Sequence, residues 1–147
     1  MTRTHSGEDA ALRINESIPG AVVDSTQMDV WVLPEHILPV AKLLKSDPAF
    51  DFSFLNSLTA VDYVEYFEMV YHLLSLRRNA SLVVKSRVYG RDEPVIHSVY
   101  DVWKGADLQE REIWDLMGIH FEGHPNMKRV MLWEGFPGHP LRKDFLG

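Results

Sequence analysis

Three histidines near the C-terminus have side chains that could bind a metal ion. His124 and His139 each stand between a glycine and a proline, and His120 precedes His124 by four residues. With Glu122 or Glu134 as a carboxylate ligand, these imidazoles could hold zinc in a small metal-dependent hydrolase. No recognised zinc spacing such as His-Glu-x-x-His is present, however. The alternative is that each imidazole makes a hydrogen bond to the backbone at a rigid Gly/Pro corner.

A second group of candidate residues is the run Glu110-Arg111-Glu112, within a helix that the pattern predicts at 107–117. At 3.6 residues per turn, the Glu110 carboxylate falls on the apolar side of this helix. Three adjacent charges usually mark a solvated helix face, but the apolar neighbours of Glu110 favour burial of at least one of them. A buried charge that loses its partner costs about 3–5 kcal/mol, so such a charge would require a partner, which the C-terminal segment could supply. The candidate cations are Arg129, Arg142 and Lys143. Paired carboxylates could instead do acid/base chemistry, but no nucleophile accompanies them.

Composition excludes several classes of protein. A chain of 147 residues is the size of one domain. A net charge of −6 argues against nucleic-acid binding. The absence of cysteine excludes disulfides, cysteine-type zinc sites and all-cysteine iron–sulfur clusters. The sequence has neither a run of 18 apolar residues nor the apolar stretch of a secretory signal, so we expect a cytoplasmic protein.

Helical spacing and helix-boundary residues predict four helices. They are expected at residues 8–17, with Leu12 towards the core, at 34–46, from Pro94 to Trp103, and at 107–117. Asp107 is expected to cap the last of these helices in a capping box with Glu110, and Gly118 is expected to end it.

Alternation of apolar and polar residues predicts the strands. Two short strands are expected within 21–33, and a three-stranded antiparallel meander is expected from the runs 51–63, 66–76 and 80–90. Together these elements predict an α/β protein of the α+β type, with a mainly antiparallel sheet, flanking helices and a long extended C-terminal tail.

The chain is predicted to divide at Gly118. Residues 1–118 are expected to form a single α/β domain, and residues 119–147, here called the C-terminal tail, to form an extended interface segment. A stretch of this length without periodicity is unusual in a compact domain. It is too rich in apolar residues for disorder, so we expect it to be ordered against a surface that belongs partly to another chain.

The run EREIWDLMGIHFEGHPNMKRVM, residues 110–131, resembles the signature of the C subunit of proton-pumping NADH:quinone oxidoreductase, respiratory complex I. The Glu-Arg-Glu of that pattern is followed by an acid at Asp115, a histidine at His124 and a basic residue at Lys128. GHPLRKDF, residues 138–145, resembles the second hallmark of the same family, and residues 94–103 resemble the stretch before Glu-Arg-Glu. Leu108 departs from the pattern, since the family often has tryptophan there.

The resemblance implies a cofactor-free scaffold subunit in the hydrophilic arm of a membrane-bound complex. The implied partners are the large subunit that builds the quinone site and the neighbouring iron–sulfur subunits, with the membrane arm as an indirect partner. NAD(H), flavin, iron–sulfur clusters and quinone would belong to partner subunits. The subunit would lie peripherally on the cytoplasmic face of a bacterial or archaeal-type energy-converting membrane and would have no activity alone.

The resemblance also implies the role of individual residues. No residue of this chain is expected to be catalytic, to bind a cofactor or to hold a metal. The residues expected to have interface or structural roles are Glu110, Arg111, Glu112, Asp115, His124, Pro125, Lys128, Arg129, Gly138, His139, Pro140, Leu141, Arg142, Lys143 and Asp144.

Overall fold

A computed structural model describes residues 2–133 and 135–146 of the chain, and it has the predicted α+β fold. Glu134, considered above as a metal ligand, lies outside the described residues. A six-stranded mixed sheet forms the centre of the molecule. Its strands are β1 (Arg3–Thr4), β2 (Val22–Ser25), β3 (Asp29–Val32), β4 (Phe54–Asp62), β5 (Phe67–Ser75) and β6 (Ala80–Val88).

The strand order is β2-β3-β6-β5-β4, with β1 paired to β6 beyond the end of β3. β4, β5 and β6 pair antiparallel over nearly their whole length, which confirms the predicted meander. β1 and β3 run parallel to β6, so the sheet is mixed. Alternate residues of the meander are buried, as period-two patterning requires for a sheet with one face on the core.

Two helices cover the buried face of the sheet. They are α1 (Gly7–Ser17) and α2 (Ile37–Ser46), the latter preceded by a 3₁₀ turn at Pro34–His36. Ile14 from α1 and Val40 and Leu44 from α2 are buried in the core. The prediction that Leu12 faces the core is wrong: Ala10, Ala11 and Ile14 occupy the inner face of α1, and Leu12 is exposed.

The helix predicted from Pro94 is wrong. Val95–His97 forms a strand, β7, which pairs parallel with a second short strand, β8 (His120–Glu122), inside the C-terminal tail. The backbone N–H of Ser98 then donates to the Glu122 carbonyl, and that of Val99 donates to a side chain. Because these N–H groups have tertiary partners, they are not available for the helical ladder.

The last helix, α3 (Ala106–Met117), begins one residue earlier than predicted and lacks the expected capping box. Gly105 occupies the N-cap position, so no side chain caps the helix, and Asp107 lies in its first turn. Gly118 ends the helix in the left-handed conformation, as predicted. On the sheet side, the Gln109 side-chain oxygen accepts from the Leu58 backbone N–H of β4. α3 therefore lies along the edge of the sheet, where an unpaired strand would otherwise face solvent.

Gly7, the first residue of α1, is in close contact with the turn between β2 and β3. A Cβ atom there would overlap the carbonyl oxygens of Thr26 and Asp29. We therefore expect Gly7→Ala to lower the free energy of unfolding by about 1–3 kcal/mol, as overpacking does. Gly105→Ala, where a Cβ would meet no atom within 4 Å, is the matched control and should change stability by less than about 1 kcal/mol. Urea unfolding measures both, and equal stabilities would contradict this account.

Candidate functional site

The carboxylate of Asp115 connects α3 to the C-terminal tail. Its Oδ2 accepts hydrogen bonds from three successive backbone N–H groups, those of Val130, Met131 and Leu132, at 3.1, 2.7 and 2.8 Å. Its Oδ1 accepts from Arg129 Nη1 at 3.0 Å. Successive N–H groups of this kind form an anion-binding concavity, and here the anion is a side chain of the same chain.

The environment of Asp115 stabilises its charged form. The side chain is fully buried, and burial alone would raise its pKa. The three backbone N–H groups and Arg129 outweigh burial and hold the pKa below its ordinary value. Asp115 is therefore an ionised, fully satisfied carboxylate, and the tail supplies all four of its donors.

Glu110, one and a half turns earlier on α3, is also fully buried, but its partners are different. The Ser98 hydroxyl donates to Oε1 at 2.5 Å and the Val99 backbone N–H donates to Oε2 at 2.9 Å. Burial raises the pKa of Glu110 to about 7, although both hydrogen bonds act in the opposite direction. The hydroxyl of Tyr71 is buried without a hydrogen bond in the described structure, and the Glu110 charge adds to the burial that raises the Tyr71 pKa.

The prediction that a tail cation pairs with Glu110 is wrong. Arg129 pairs with Asp115, and Arg142 pairs with Asp144, while the Lys143 backbone N–H donates to Asp62. The physical reason is the direction in which Glu110 points. It faces the turn after β7, where neutral donors satisfy it, whereas the tail crosses α3 at Asp115.

His124 fixes the first Gly-His-Pro corner against the start of α3. Its side chain is fully buried, and Nδ1 accepts from the Asn126 backbone N–H at 2.9 Å, so the ring proton is on Nε2. Nε2 lies 3.3 Å from the Asp107 carbonyl oxygen and 3.0 Å from Asp107 Oδ1, although the geometry at Oδ1 is too poor for a hydrogen bond. Pro125 follows His124 directly and is the last residue of this Gly-His-Pro unit.

His139 fixes the second Gly-His-Pro corner against the end of the same helix. Its Nδ1 donates to the Asp115 carbonyl at 2.9 Å, and its ring packs on Trp114 with the ring centroids 5.0 Å apart. A Cβ atom on Gly118 would lie 2.7 Å from this ring, so glycine is required there for close packing as well as for its φ of 78°. Both imidazoles thus contact backbone carbonyls of α3, the arrangement considered as the alternative to metal binding.

The three histidines do not form a ligand set. His120 packs edge-on against Trp114, His124 contacts Asp107, and His139 contacts the carbonyl of Asp115. Within residues 2–133 and 135–146, no group of three His, Cys, Asp or Glu side chains is placed to share a metal ion. The hydrolase alternative therefore has no site in the described part of the chain.

Arg91 and Asp62 hold the end of the tail, and neither residue is among those predicted from the sequence. Arg91 Nη1 and Nη2 each lie 2.7 Å from a carboxylate oxygen of Asp62, in a bidentate pair that holds the Asp62 pKa well below its ordinary value. Arg142 binds the Asp144 carboxylate at 2.8 and 2.9 Å and donates to the Arg91 carbonyl at 2.6 Å. Asp62 is buried at the end of β4, and its partner Arg91 lies 29 residues further along the chain, so no short-range spacing connects the two.

The remaining residues with predicted interface or structural roles lie on α3 and the tail. Arg111 Nε donates to the Lys128 carbonyl at 3.1 Å, and Arg129 Nη2 donates to the Gly138 carbonyl at 3.0 Å. The Leu141 backbone N–H donates to the Leu116 carbonyl at 2.8 Å, and Pro140 lies beside it in the turn. Glu112 points to solvent from α3.

Polar contacts hold the tail in place, while several of its large apolar side chains lie on the surface. The exposed fractions are 61% for Met131, 65% for Trp133, 60% for Leu141 and 100% for Leu146. Leu108, on the first turn of α3, is also 54% exposed. Large apolar side chains that are held in place yet face solvent mark a surface suited to a protein partner.

The family described as "Respiratory-chain NADH dehydrogenase, 30 Kd subunit" matches residues 30–147 of this chain. The chain belongs to this family. It is 41% identical over 145 residues to the C subunit of the NADH-quinone oxidoreductase of Azorhizobium caulinodans, covering 94% of this chain and 68% of that protein. With the corresponding protein of Coxiella burnetii (strain RSA 493 / Nine Mile phase I) it shares 37% identity over 167 residues, covering 90% of this chain and 73% of the relative.

Among solved structures, the chain resembles one from the membrane-bound sulfane sulfur reductase, an archaeal respiratory membrane complex. The TM-score is 0.76 at 27% identity, over 94% of this chain and 84% of that one. The family is that of a subunit of complex I, the NADH:quinone oxidoreductase of respiratory electron transport. None of the helices in the described residues is long and apolar enough to cross a bilayer.

Asp115→Asn tests whether one carboxylate organises the tail. The amide keeps the shape but directs an NH₂ group either at Arg129 or at the three backbone donors, and loss of one member of a buried pair costs about 3–5 kcal/mol. We expect hydrogen exchange at the amides of residues 130–132 to accelerate by at least about tenfold. Glu112→Gln, an exposed change on the same helix, is the control. Unchanged exchange in Asp115→Asn would show that other contacts hold the tail.

Glu110 gives the chain a pH-dependent stability. Its pKa is raised from an ordinary 4.5 to about 7, so the folded state favours the protonated form. This stabilisation of the folded state is fully present below the pKa that Glu110 has in the unfolded chain. It is lost as pH rises through about 7, and it amounts to roughly 3 kcal/mol. Glu110→Gln cannot titrate. We expect the unfolding free energy of the native chain, relative to that of Glu110→Gln, to fall between pH 4.5 and 8 in urea titrations. A constant difference across this range would contradict the assignment.

Proposed function

We propose that this chain is a non-catalytic scaffold subunit in the hydrophilic arm of a membrane-bound, proton-pumping NADH:quinone oxidoreductase. Its C-terminal tail and α3 dock on the large subunit that builds the quinone site, with the iron–sulfur subunits as neighbours and the membrane arm as an indirect partner. The subunit supports electron transfer from NADH through iron–sulfur clusters to quinone by holding its neighbours in place.

The observation that carries this proposal is the apolar surface of an ordered tail. Met131 lies within the backbone that Asp115 binds, and Leu141 follows the corner made by His139. Their side chains face solvent although their backbone is fixed. A surface held in one conformation loses less entropy on binding, so the same contact area gives a tighter complex.

The cofactors of the reaction are assigned to partner subunits. The chain contains no cysteine, so it cannot supply thiolate ligands for an iron–sulfur cluster. It also lacks the glycine-rich fingerprint of a dinucleotide site. NAD(H), flavin, iron–sulfur clusters and quinone would therefore bind to other chains, and the isolated subunit would have no reductase activity.

The proposed location is the cytoplasmic face of an energy-converting membrane, bound peripherally through other subunits. The structural relative from the sulfane sulfur reductase comes from a complex whose own description is membrane-bound and respiratory. The net charge of −6 does not favour direct adhesion to an anionic bilayer, so contact with partner subunits is the expected means of attachment.

The double variant Met131→Ser/Leu141→Ser tests the proposed docking surface. Removing two exposed apolar side chains should lower recovery of the partner subunits in a pull-down from detergent-solubilised membranes by about tenfold or more. Met28→Ser/Leu12→Ser removes the same residue types at 60% and 68% exposure from a different part of the chain and should leave recovery within about twofold.

Mass spectrometry of the recovered chains, together with NADH:quinone reductase activity of the membranes, provides the readout. Failure of the native chain to recover iron–sulfur and membrane subunits would overturn the proposal. Recovery that falls equally in both double variants would show that the tail is not the docking surface.

A further inference from the structure

A cavity of about 310 Å³ opens between α3 and the tail, and basic side chains surround it. Its lining consists of Arg111 and Trp114 from α3 and of Met127, Lys128, Arg129 and Leu132 from the tail. The cavity therefore combines three cations with an aromatic and two aliphatic walls. In a chain with a net charge of −6, such a concentration of positive charge is not explained by composition.

Of the three cations, two lack an ionic partner among the residues that the structure describes. Arg129 is engaged by the Asp115 carboxylate and the Gly138 carbonyl. Arg111 uses only Nε, which donates to the Lys128 carbonyl, and this bond fixes the guanidinium at the cavity wall. Within residues 2–133 and 135–146, neither Arg111 nor Lys128 has a carboxylate within 4.0 Å.

The two acidic residues that stand at ion-pair spacing from Arg111 on α3 are committed elsewhere. Asp107 and Asp115 lie one turn before and one turn after it, where helical spacing would allow ion pairs. Asp107 instead faces His124, and Asp115 binds Arg129 and the tail backbone. The helix thus leaves Arg111 with two Nη groups, and so a bidentate donor site, directed at no acceptor in the described chain.

We propose that this cavity binds a carboxylate side chain of the partner subunit. Arg111 donates to both oxygens through its Nη groups, and Lys128 supplies the second positive charge. The Trp114 and Leu132 walls pack against the aliphatic stem of that acidic residue or against an apolar residue next to it. This inference rests on the proposed function and adds to it the chemistry of the partner: an acidic side chain within an apolar segment.

The cavity is better suited to a protein carboxylate than to an anionic lipid. Recognition of anionic membranes typically involves clusters of about four to eight basic residues, whereas the described lining of this cavity has two unpaired cations, Arg111 and Lys128. The cavity is also continuous with the apolar docking surface, because Leu132 lines it and the exposed Met131 precedes Leu132 in the chain. Planar bidentate pairing with a carboxylate is the interaction for which a fixed guanidinium is best adapted.

Zero-length carbodiimide cross-linking of the intact complex tests this directly. The reagent joins an amine to a carboxylate only when the two are in contact, so Lys128 Nζ should form an amide with an Asp or Glu of another subunit. Mass spectrometry would identify both residues. Lys42, which is exposed on α2, is the internal control and should give no such product. A cross-link from Lys128 to Glu134 of the same chain would overturn the proposal.

The second test is the double variant Arg111→Gln/Lys128→Gln. We expect recovery of partner subunits from solubilised membranes to fall by about tenfold or more, since both members of a buried charge contact at an interface matter for affinity. The matched control, Arg3→Gln/Lys42→Gln, removes the same two residue types from exposed positions on β1 and α2 that do not line the cavity, and it should stay within about twofold. Unchanged recovery with Arg111→Gln/Lys128→Gln would overturn the proposal.

The outcomes separate this inference from the proposed function. If the native chain recovers its partners but Lys128 forms no cross-link and Arg111→Gln/Lys128→Gln binds normally, the scaffold role stands and the carboxylate site is wrong. If the native chain recovers no partner, both are wrong.

Flotation with vesicles containing about 30% phosphatidylglycerol tests binding to a lipid surface, since anionic surfaces of this kind are recognised by basic clusters. Binding by the native chain that is lost in the variant would assign the cavity to a lipid headgroup and overturn the proposal.

Discussion

The buried carboxylate of Asp115 is the interaction on which the outer surface of this protein depends. One oxygen gathers three consecutive backbone N–H groups of the tail, and the other binds Arg129. Because the backbone hydrogen bonds within the tail are those of short turns, the path of the tail must be fixed from outside. Asp115 does this at one point, and the two Gly-His-Pro corners do it on either side, each through an imidazole bound to a carbonyl of α3.

Two buried carboxylates on one helix have opposite electrostatic behaviour. Asp115 is surrounded by donors that favour its charge, so its pKa falls. Glu110 has two donors, neither of them cationic, and burial dominates, so its pKa rises to about 7. The residue types are nearly equivalent; the number and charge of the donors decide the difference. Arg111 is left without an ionic partner among the described residues because the acids at helical spacing on either side of it, Asp107 and Asp115, face His124 and Arg129 instead.

Much of the fold could be predicted from local patterns. The meander from β4 to β6 follows from alternation over nine-residue strands, and Gly118 was identified as a helix end because a left-handed residue is needed there. The burial of Glu110 followed from helical spacing. The segment from Pro94 was predicted wrongly because its spacing of valines fits a helix equally well, and its pairing with β8 involves residues more than twenty positions away.

The sequence by itself determined the main elements of the α+β fold and the absence of thiolate chemistry, because these depend on composition, periodicity and short-range spacing, while the residues predicted to matter on α3 and the tail came from the family resemblance. Only the tertiary structure decided which residue pairs with which. Arg129 binds Asp115 and not Glu110, and Arg91 joins Asp62 to the end of the tail. Such pairings depend on where distant segments meet and on the direction in which each side chain points, and neither quantity is encoded in the spacing of residues along the chain.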